Sequence, residues 1–409
     1  MRSVDVLVVG AGPAGLTAAA GLARAGAIVE VVEREATAGG IPRHSFHTGY
    51  GVRDLRRVLT GPDYARRLVE LATGAGVSVR TGVSVTGWSG PLALDTVSGQ
   101  GIEQISARAV VLATGARERP RAARWVPGSR AAGVFTTGLL QQQVYLHPGL
   151  PVGRRAVVVG AEHVSYSALV TLRHAGVEVV ALVTDQPGHQ TWPALHTAAR
   201  LRYATPVLTG VRVTNLVGGR RIDGVEIEAA GGRRSVIACD TVVFTGDWIP
   251  DHELARRAGL AIDPGSLGPE VDSAFRTDRP GVFAIGNLVH PVETADVCAL
   301  DGSAVVPAVL ACLRSESPPA ASVPLRAAEP LHWVWPNRLV AGERPRRIRL
   351  WASARADRPE FVMEQAGRQV AQVRGPRRMV ANRPFSIDAA WAGDVRSGAG
   401  PVTVRLGVD

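Results

Sequence analysis

The chain has 409 residues, 46% of them apolar, and a formal charge of +10, so it is long enough for two or three domains with separate cores. Every one of its 46 Lys/Arg residues is arginine, which excludes Schiff-base and PLP-lysine chemistry. Only Cys239, Cys298 and Cys312 occur, without a CxxC pair, which argues against a disulfide framework, a redox dithiol or an iron–sulfur cluster bound within the chain.

The longest apolar runs, such as Val4 to Val9 and Ala109 to Ala113, fall far short of the roughly 20 residues that span a bilayer, so no transmembrane segment is expected. No basic-then-apolar leader precedes the first strand, and a cytoplasmic location is expected. Residues 331–409 carry 14 arginines against 7 acidic residues, so the basic excess lies at the C-terminal end. It reads as a solvated or partner-docking face; without a recognisable motif or interleaved aromatic residues, no nucleic-acid partner is expected. The lack of lysine beside abundant Arg, Ala and Gly points to a GC-rich bacterial genome.

In chain order, a strand over Val4 to Val9, a glycine turn, an Ala-rich helix to about Ala25 and a strand over Ile28 to Val32 form a βαβ start. A helix from Asp63 to Ala72, a strand near Val77, alternating strands between Val83 and Ile105 and a buried strand at Ala109 to Ala113 complete a first lobe. After an Arg- and Pro-rich connector the pattern restarts: strand Ala156 to Val159, helix His163 to Ala175, strand Glu178 to Val183, a helix from Pro193 to Tyr203, a β excursion from Val211 to Ile237 and a strand Thr241 to Phe244. The predicted class is α/β, with two nested Rossmann-like dinucleotide-binding domains and a small C-terminal all-β appendage. The boundaries are 1–120 with 241–315 for the first domain, 121–240 for the insertion, 316–330 for a linker and 331–409 for the appendage.

Gly10-Ala11-Gly12-Pro13-Ala14-Gly15 follows a strand and opens a helix, with Glu33 at the end of the next strand, the separation that a ribose-binding acid requires. Gly10 permits the tight turn, Gly12 admits a pyrophosphate against the backbone, and Gly15 lets helix and sheet pack closely. In the repeat, Gly160-Ala161-Glu162-His163-Val164-Ser165, a glutamate stands at the second glycine and a serine at the third. A carboxylate there adds bulk and like charge, which argues against nucleotide binding in the inserted domain.

Together with Gly39-Gly40, Thr114-Gly115 and Thr277 to Asn287, the fingerprint resembles that of the two-dinucleotide-binding-domain flavoproteins, the superfamily of glutathione and thioredoxin reductases, over roughly residues 4 to 315. Gly39 to His44, Thr48 to Gly51, Leu59 to Pro62, Thr114 to Pro120 and the Gly286-Asn287…His290 to Thr294 segment resemble the FAD subunits of opine oxidase, hydroxyproline dehydrogenase and hydrogen cyanide synthase. The resemblance implies FAD as cofactor, held by Gly10, Gly12, Pro13, Ala14, Gly15, Glu33, Arg34, Gly39, Gly40, Thr114, Gly115, Gly286, Asn287 and Thr294. Asn287 departs from the usual Asp. The resemblance also implies heteromers with a small iron–sulfur protein and a second flavoprotein subunit.

His44, His47 and His290 are the histidines that the motifs bring toward a flavin, with Glu293 as base or amine partner and Arg53 as a substrate-binding carboxylate clamp. The remaining histidines lack metal-ligand spacing, and no metal is expected. The leading expectation is an FAD-dependent dehydrogenase or oxidase of a small amine, amino acid or related metabolite, passing electrons to oxygen, quinone or a partner. Its rivals are an NAD(P)H-dependent reductase or monooxygenase and a non-catalytic or electron-relay FAD protein within a heteromeric dehydrogenase.

Overall fold

A computed structural model describes residues 2–316, 322–340, 343 and 345–407. Among them are eight α-helices: α1 (Pro13–Arg24), α2 (Gly61–Thr73), α3 (Thr137–Tyr145), α4 (His163–His174), α5 (Pro193–Tyr203), α6 (Glu253–Arg257), α7 (Ala295–Ala304) and α8 (Val306–Leu313). The chain divides into two compact units, the first comprising residues 1–43, 48–116 and 249–409, the second 44–47 and 117–248.

The first unit is built on a seven-stranded sheet. Strands Arg2–Val9, Val29–Glu33, Ser78–Thr81, Gly101–Leu112 and Val282–Ala284 pair in parallel, and Ser84–Gly90 and Ala93–Ser98 extend the edge antiparallel. The central strands are buried on both faces, which is why Val6, Leu7, Val8 and Val110, Val111, Leu112 read as continuous apolar runs rather than alternating ones. Helix α1 starts with Pro13 and is rich in Ala, so it forms easily and presents little bulk. That thinness is used: a Cβ on Gly302 of α7 would lie 2.3 Å from the Ala14 carbonyl oxygen and 2.9 Å from the Ala18 nitrogen. The 19-residue run Ala295–Leu313 is long and apolar enough to match a membrane span by length and composition. Its packing on α1 makes it a core element of this unit.

The C-terminal appendage belongs to the same unit. Strands Arg338–Val340, Ser322–Ala327, Val402–Leu406, Glu360–Gln365 and Arg368–Arg374 form one sheet, and Leu331–Trp335, Arg347–Ala352 and Phe385–Asp388 a second. Leu325, Leu350, Phe361, Met363 and Val404 share a single core between them. It is joined to the first lobe by Asn337, whose Oδ1 accepts from the Val271 amide at 2.6 Å, and by an Arg326–Glu270 ion pair at 2.5 Å.

In the second unit Val134–Thr136, Thr241–Phe244, Arg155–Val159, Glu178–Val183 and Val207–Leu208 form an all-parallel sheet, accompanied by a three-stranded meander over residues 211–238.

Three expected boundaries move. Strand Thr241–Phe244 pairs with Arg155–Val159 inside the second sheet, so the return to the first unit comes at Ile249 rather than 241. The expected linker 316–330 contains strand Ser322–Ala327, whose Val323 and Leu325 are buried in the appendage core, while residues 317–321 lie outside the described residues. The segment His44–His47 joins the second unit, where the Phe46 ring stacks on Tyr145 at 4.1 Å. Helix α3, unforeseen because only Leu140, Thr137 and Gln141 bury one face, begins at a Thr136 cap.

Replacing Gly302 by Val would force a branched side chain against the α1 backbone. Gly302→Val is expected to lower stability by about 3 kcal/mol, read from the urea midpoint, because neither helix can withdraw without opening the core.

Candidate functional site

The turn between strand Arg2–Val9 and α1 is shaped by its glycines. Gly10 adopts φ +107°, and a Cβ there would sit 2.5 Å from the Ala113 carbonyl oxygen; on Gly15 it would sit 2.0 Å from the Gly10 oxygen. Gly12 differs. Its backbone (φ −84°, ψ −176°) suits any residue, and a Cβ there would meet nothing within 4 Å. Helix α1 has no side-chain cap and no acidic residue in its first turn, so its leading amides face an open space beside Gly12. This is an anion cradle, and a dinucleotide pyrophosphate fits it.

Glu33 closes the next strand. Its Oε2 accepts from the Ala11 amide and its Oε1 from the Glu35 amide, both at 2.9 Å, which fixes the carboxylate while each oxygen keeps a lone pair for ribose hydroxyls. The second glycine pair folds against the same turn: the Gly39 amide donates to the Ala11 carbonyl at 2.8 Å, and a Cβ on Gly40 would lie 2.9 Å from the Gly12 Cα. Thr114 donates to the Asp251 carbonyl at 2.7 Å, the Asp251 amide donates to Gly115 at 2.9 Å, and Arg34 pairs with the Asp251 carboxylate at 3.1 Å. Thus the Arg34 charge is committed to the rim rather than free for a phosphate.

Gly286, at φ +68°, brings the last motif onto α1, where its Cβ would lie 2.9 Å from Ala14 Cβ. Asn287 explains its departure from Asp. Its Nδ2 donates to the Glu293 carbonyl and its Oδ1 accepts from the Glu293 amide, both at 3.0 Å, so the amide closes loop 287–293 through one donor and one acceptor. A carboxylate would leave the Glu293 carbonyl facing a second acceptor. Within that loop Val292 holds φ +88°, a strained conformation for a β-branched residue that the Asn287 closure helps maintain.

Arg53 does not stand as an open clamp. Its Nη1 donates to Thr294 Oγ1 at 3.1 Å and its backbone amide to Asp296 Oδ2 at 3.3 Å, tying residues 50–60 to the N-terminus of α7. Thr294 in turn donates to Asp296 Oδ1. Nearby, the Tyr64 hydroxyl donates to Asp54 Oδ2 at 2.6 Å; burial, together with the charge of Asp296, raises the Asp54 pKa above the ordinary carboxylate range. Asp296 and Asp54 were missed from sequence, although an acid in the first helical turn is itself a recognisable signal. Cys298 is enclosed, and burial pushes its thiol well up, which makes it a core residue rather than a nucleophile.

His290 is fully buried. Its Nε2 lies 2.6 Å from Asp301 Oδ2, and Arg349 of the appendage reaches Asp301 Oδ1 with both Nη atoms at 3.1 Å while stacking over Trp335 at 4.6 Å. The ring is therefore part of the seam with the appendage, not a wall of an open site. Glu293 is half-buried in the first unit. In the second unit His44 is 2% exposed and His47 half-buried.

The repeated fingerprint in the second unit is occupied from within. Glu162 Oε2 accepts from the Ala161 amide at 2.9 Å and Oε1 from the Thr245 hydroxyl at 3.0 Å; a Cβ on Gly246 would lie 2.2 Å from Oε1. Ser165 Oγ accepts from the Glu162 amide at 3.2 Å and contacts Thr245 Oγ1 at 2.7 Å. The carboxylate thus takes the anion position at the head of α4. Burial raises its pKa, opposed by these hydrogen bonds and by Arg124, and burial likewise pushes neighbouring Glu118 up to about 7. No cluster of three or more His, Cys, Asp or Glu side chains suited to a metal ion occurs among the described residues.

The family model described as pyridine nucleotide-disulphide oxidoreductase matches residues 4–302. An opine oxidase subunit from Rhizobium meliloti is 29% identical over 69% of this chain and 58% of its own length. The protein of the same name from Agrobacterium tumefaciens (strain Ach5) is 28% identical over 79% of this chain and 68% of its own. Among solved structures, thioredoxin reductase of T. acidophilum superposes with a TM-score of 0.65 at 22% identity, covering 77% of this chain and 99% of that one. The chain thus spans little more than half of the Rhizobium relative. With these matches the Gly12 cradle and Glu33 belong to an FAD site.

Two substitutions separate cofactor binding from folding. Gly12→Val is expected to leave the thermal midpoint of the apoprotein unchanged while flavin content of the purified protein, measured by absorbance after denaturation, falls to near zero. Asn287→Asp is expected to cost about 1–2 kcal/mol in urea unfolding, because the loop loses one hydrogen bond and gains an acceptor facing an acceptor.

Proposed function

Because the chain belongs to the pyridine nucleotide-disulphide oxidoreductase family and is an FAD-dependent oxidoreductase, we propose that it oxidises a small amine, amino acid or related metabolite and delivers the electrons to oxygen, a quinone or a partner protein, not to nicotinamide nucleotide. The observation that carries this reading is the Glu162 carboxylate at the head of α4. A bound nicotinamide dinucleotide would bring its pyrophosphate against that charge; at about 4 Å and an effective dielectric near 20, each like-charge pair costs about 4 kcal/mol. Displacing Glu162 would also strip it of the Ala161 and Thr245 hydrogen bonds.

In the proposed reaction the substrate C–N bond becomes C=N, with loss of two electrons and two protons. FAD supplies the acceptor for the hydride equivalent, and the second proton leaves through a side chain or water. We assign Glu293 in the first unit to proton acceptance or pairing with a substrate amine, and His47 in the second to a supporting proton-transfer role. His44 and His290, both enclosed, act by holding structure. Arg53, with Nη1 engaged by Thr294, keeps its other guanidinium donors for a substrate carboxylate.

Both opine oxidase relatives are named as parts of a multi-subunit enzyme, which supports a heteromeric bacterial enzyme of the cytoplasm, working with a small iron–sulfur protein and a second flavoprotein.

Anaerobic addition of NADH and then NADPH to the purified holoprotein tests the central claim. The oxidised-flavin band near about 450 nm is expected to persist, and to bleach when a substrate amine or amino acid is found by screening with an artificial acceptor. Rapid bleaching by either reduced nucleotide would overturn the reading and establish a reductase or oxygenase instead.

A further inference from the structure

The second unit contains a cavity of about 560 Å³ that the flavin chemistry does not use, formed by α5, the loop after strand Glu178–Val183 and the short strand Val207–Leu208. We infer that it binds a small organic or inorganic anion carrying a carboxylate or phosphate group, held by His189, His196 and Arg200.

His196 and Arg200 lie one turn apart on α5, so they share a face. His189, from the loop, stacks its ring on His196 with centroids 4.0 Å apart and planes 13° from parallel. Tyr166 on α4 fixes the orientation of His196 through its hydroxyl, 2.7 Å from Nδ1. His189 Nδ1 is buried without a hydrogen-bond partner among the described residues. A donor or acceptor left this way costs about 1–3 kcal/mol unless a ligand or water meets it.

Three basic residues are gathered at this cavity, and no acidic residue is among those that line it. The His196 pKa is lowered first by burial and then by the charges of His189 and Arg200. An anion would convert that repulsion into attraction, with the Arg200 guanidinium offering paired donors to two oxygens. Ala204, Pro206 and Val207 supply an apolar wall, which suits a short carbon chain beside the charged group. The volume lies within the range of small-ligand sites. None of these residues belongs to the fingerprint Gly160 to Ser165, which Glu162 already fills.

The test is isothermal titration of the full-length, FAD-loaded protein with inorganic phosphate and, separately, with succinate, at constant ionic strength. Saturable binding of one equivalent with a dissociation constant of about 1 mM or tighter is expected for at least one of them. Saturation by phosphate alone assigns a phosphate ligand, and saturation by succinate a carboxylate. Arg200→Gln, at an exposed helix position, is expected to retain the flavin spectrum and thermal midpoint while weakening binding about tenfold or more. Should that variant be poorly folded, Thr209→Trp at the exposed rim provides the second measurement, with binding lost by occlusion. Absence of saturable heat with both anions, or equal affinity in the folded variants, would overturn the inference.

Discussion

The first lobe depends on keeping the head of α1 bare while other segments close in around it. Its leading amides need an anion, and a side-chain cap would compete for them, so the turn offers Gly12 instead of a Ser, Thr or Asp. Around that opening the backbone has to approach itself more closely than side chains allow: Gly10 against Ala113, Gly15 against Gly10, Gly40 against Gly12, Gly286 against Ala14. Gly302 carries the same requirement one helix further, seating α7 on the Ala-rich face of α1. Cofactor site and core packing therefore rest on the same close contacts, and a change at most of these positions disturbs both. Gly12 is the exception, since only the ligand needs its missing side chain.

The two fingerprints show how little change separates a binding site from a scaffold. Both have a strand, a turn with a positive-φ glycine, and a 12-residue helix. In one, the helix amides face open space; in the other, Glu162 turns back on its own helix, supported by Ala161, Thr245 and Ser165. The helix terminus prefers negative charge in either case. Supplying that charge from the chain stabilises the domain without a nucleotide, at the expense of an affinity that an electron route bypassing nicotinamide does not require.

Much of this was legible because it is local. Strand–turn–helix order, the Glu33 spacing and the glutamate at position 162 are properties of short windows, and strand Glu178–Val183 and helix Pro193–Tyr203 fall where apolar periodicity puts them. What escaped was set by partners distant in sequence. Strand Thr241–Phe244 carries the same buried pattern whichever sheet it joins, so only its pairing with Arg155–Val159 decides its lobe. Residues 322–327 look like linker because Pro324 and Arg326 interrupt them, yet Val323 and Leu325 alternate inward. Arg53 and His290 had suitable chemistry in suitable motifs; their engagement by Thr294, Asp296, Asp301 and Arg349 involves separations of 11 to 243 residues.

The Asp301 carboxylate gives the appendage its place in this scheme. It is buried in α7, the helix that also packs on α1, and it is reached by His290 from the motif following Gly286 and by Arg349 from the C-terminal sheet. Removing Arg349 would leave an enclosed carboxylate without its principal counter-charge, a situation that costs about 3–5 kcal/mol in folded proteins. Trp335 adds a cation–π face to the same guanidinium and an edge contact to His290. The appendage is thus bound through a charge that the FAD lobe cannot satisfy alone, which makes it a structural part of that lobe. Its remaining arginines, largely exposed along strands such as Arg368–Arg374, are then the part of its basic excess left over for partners.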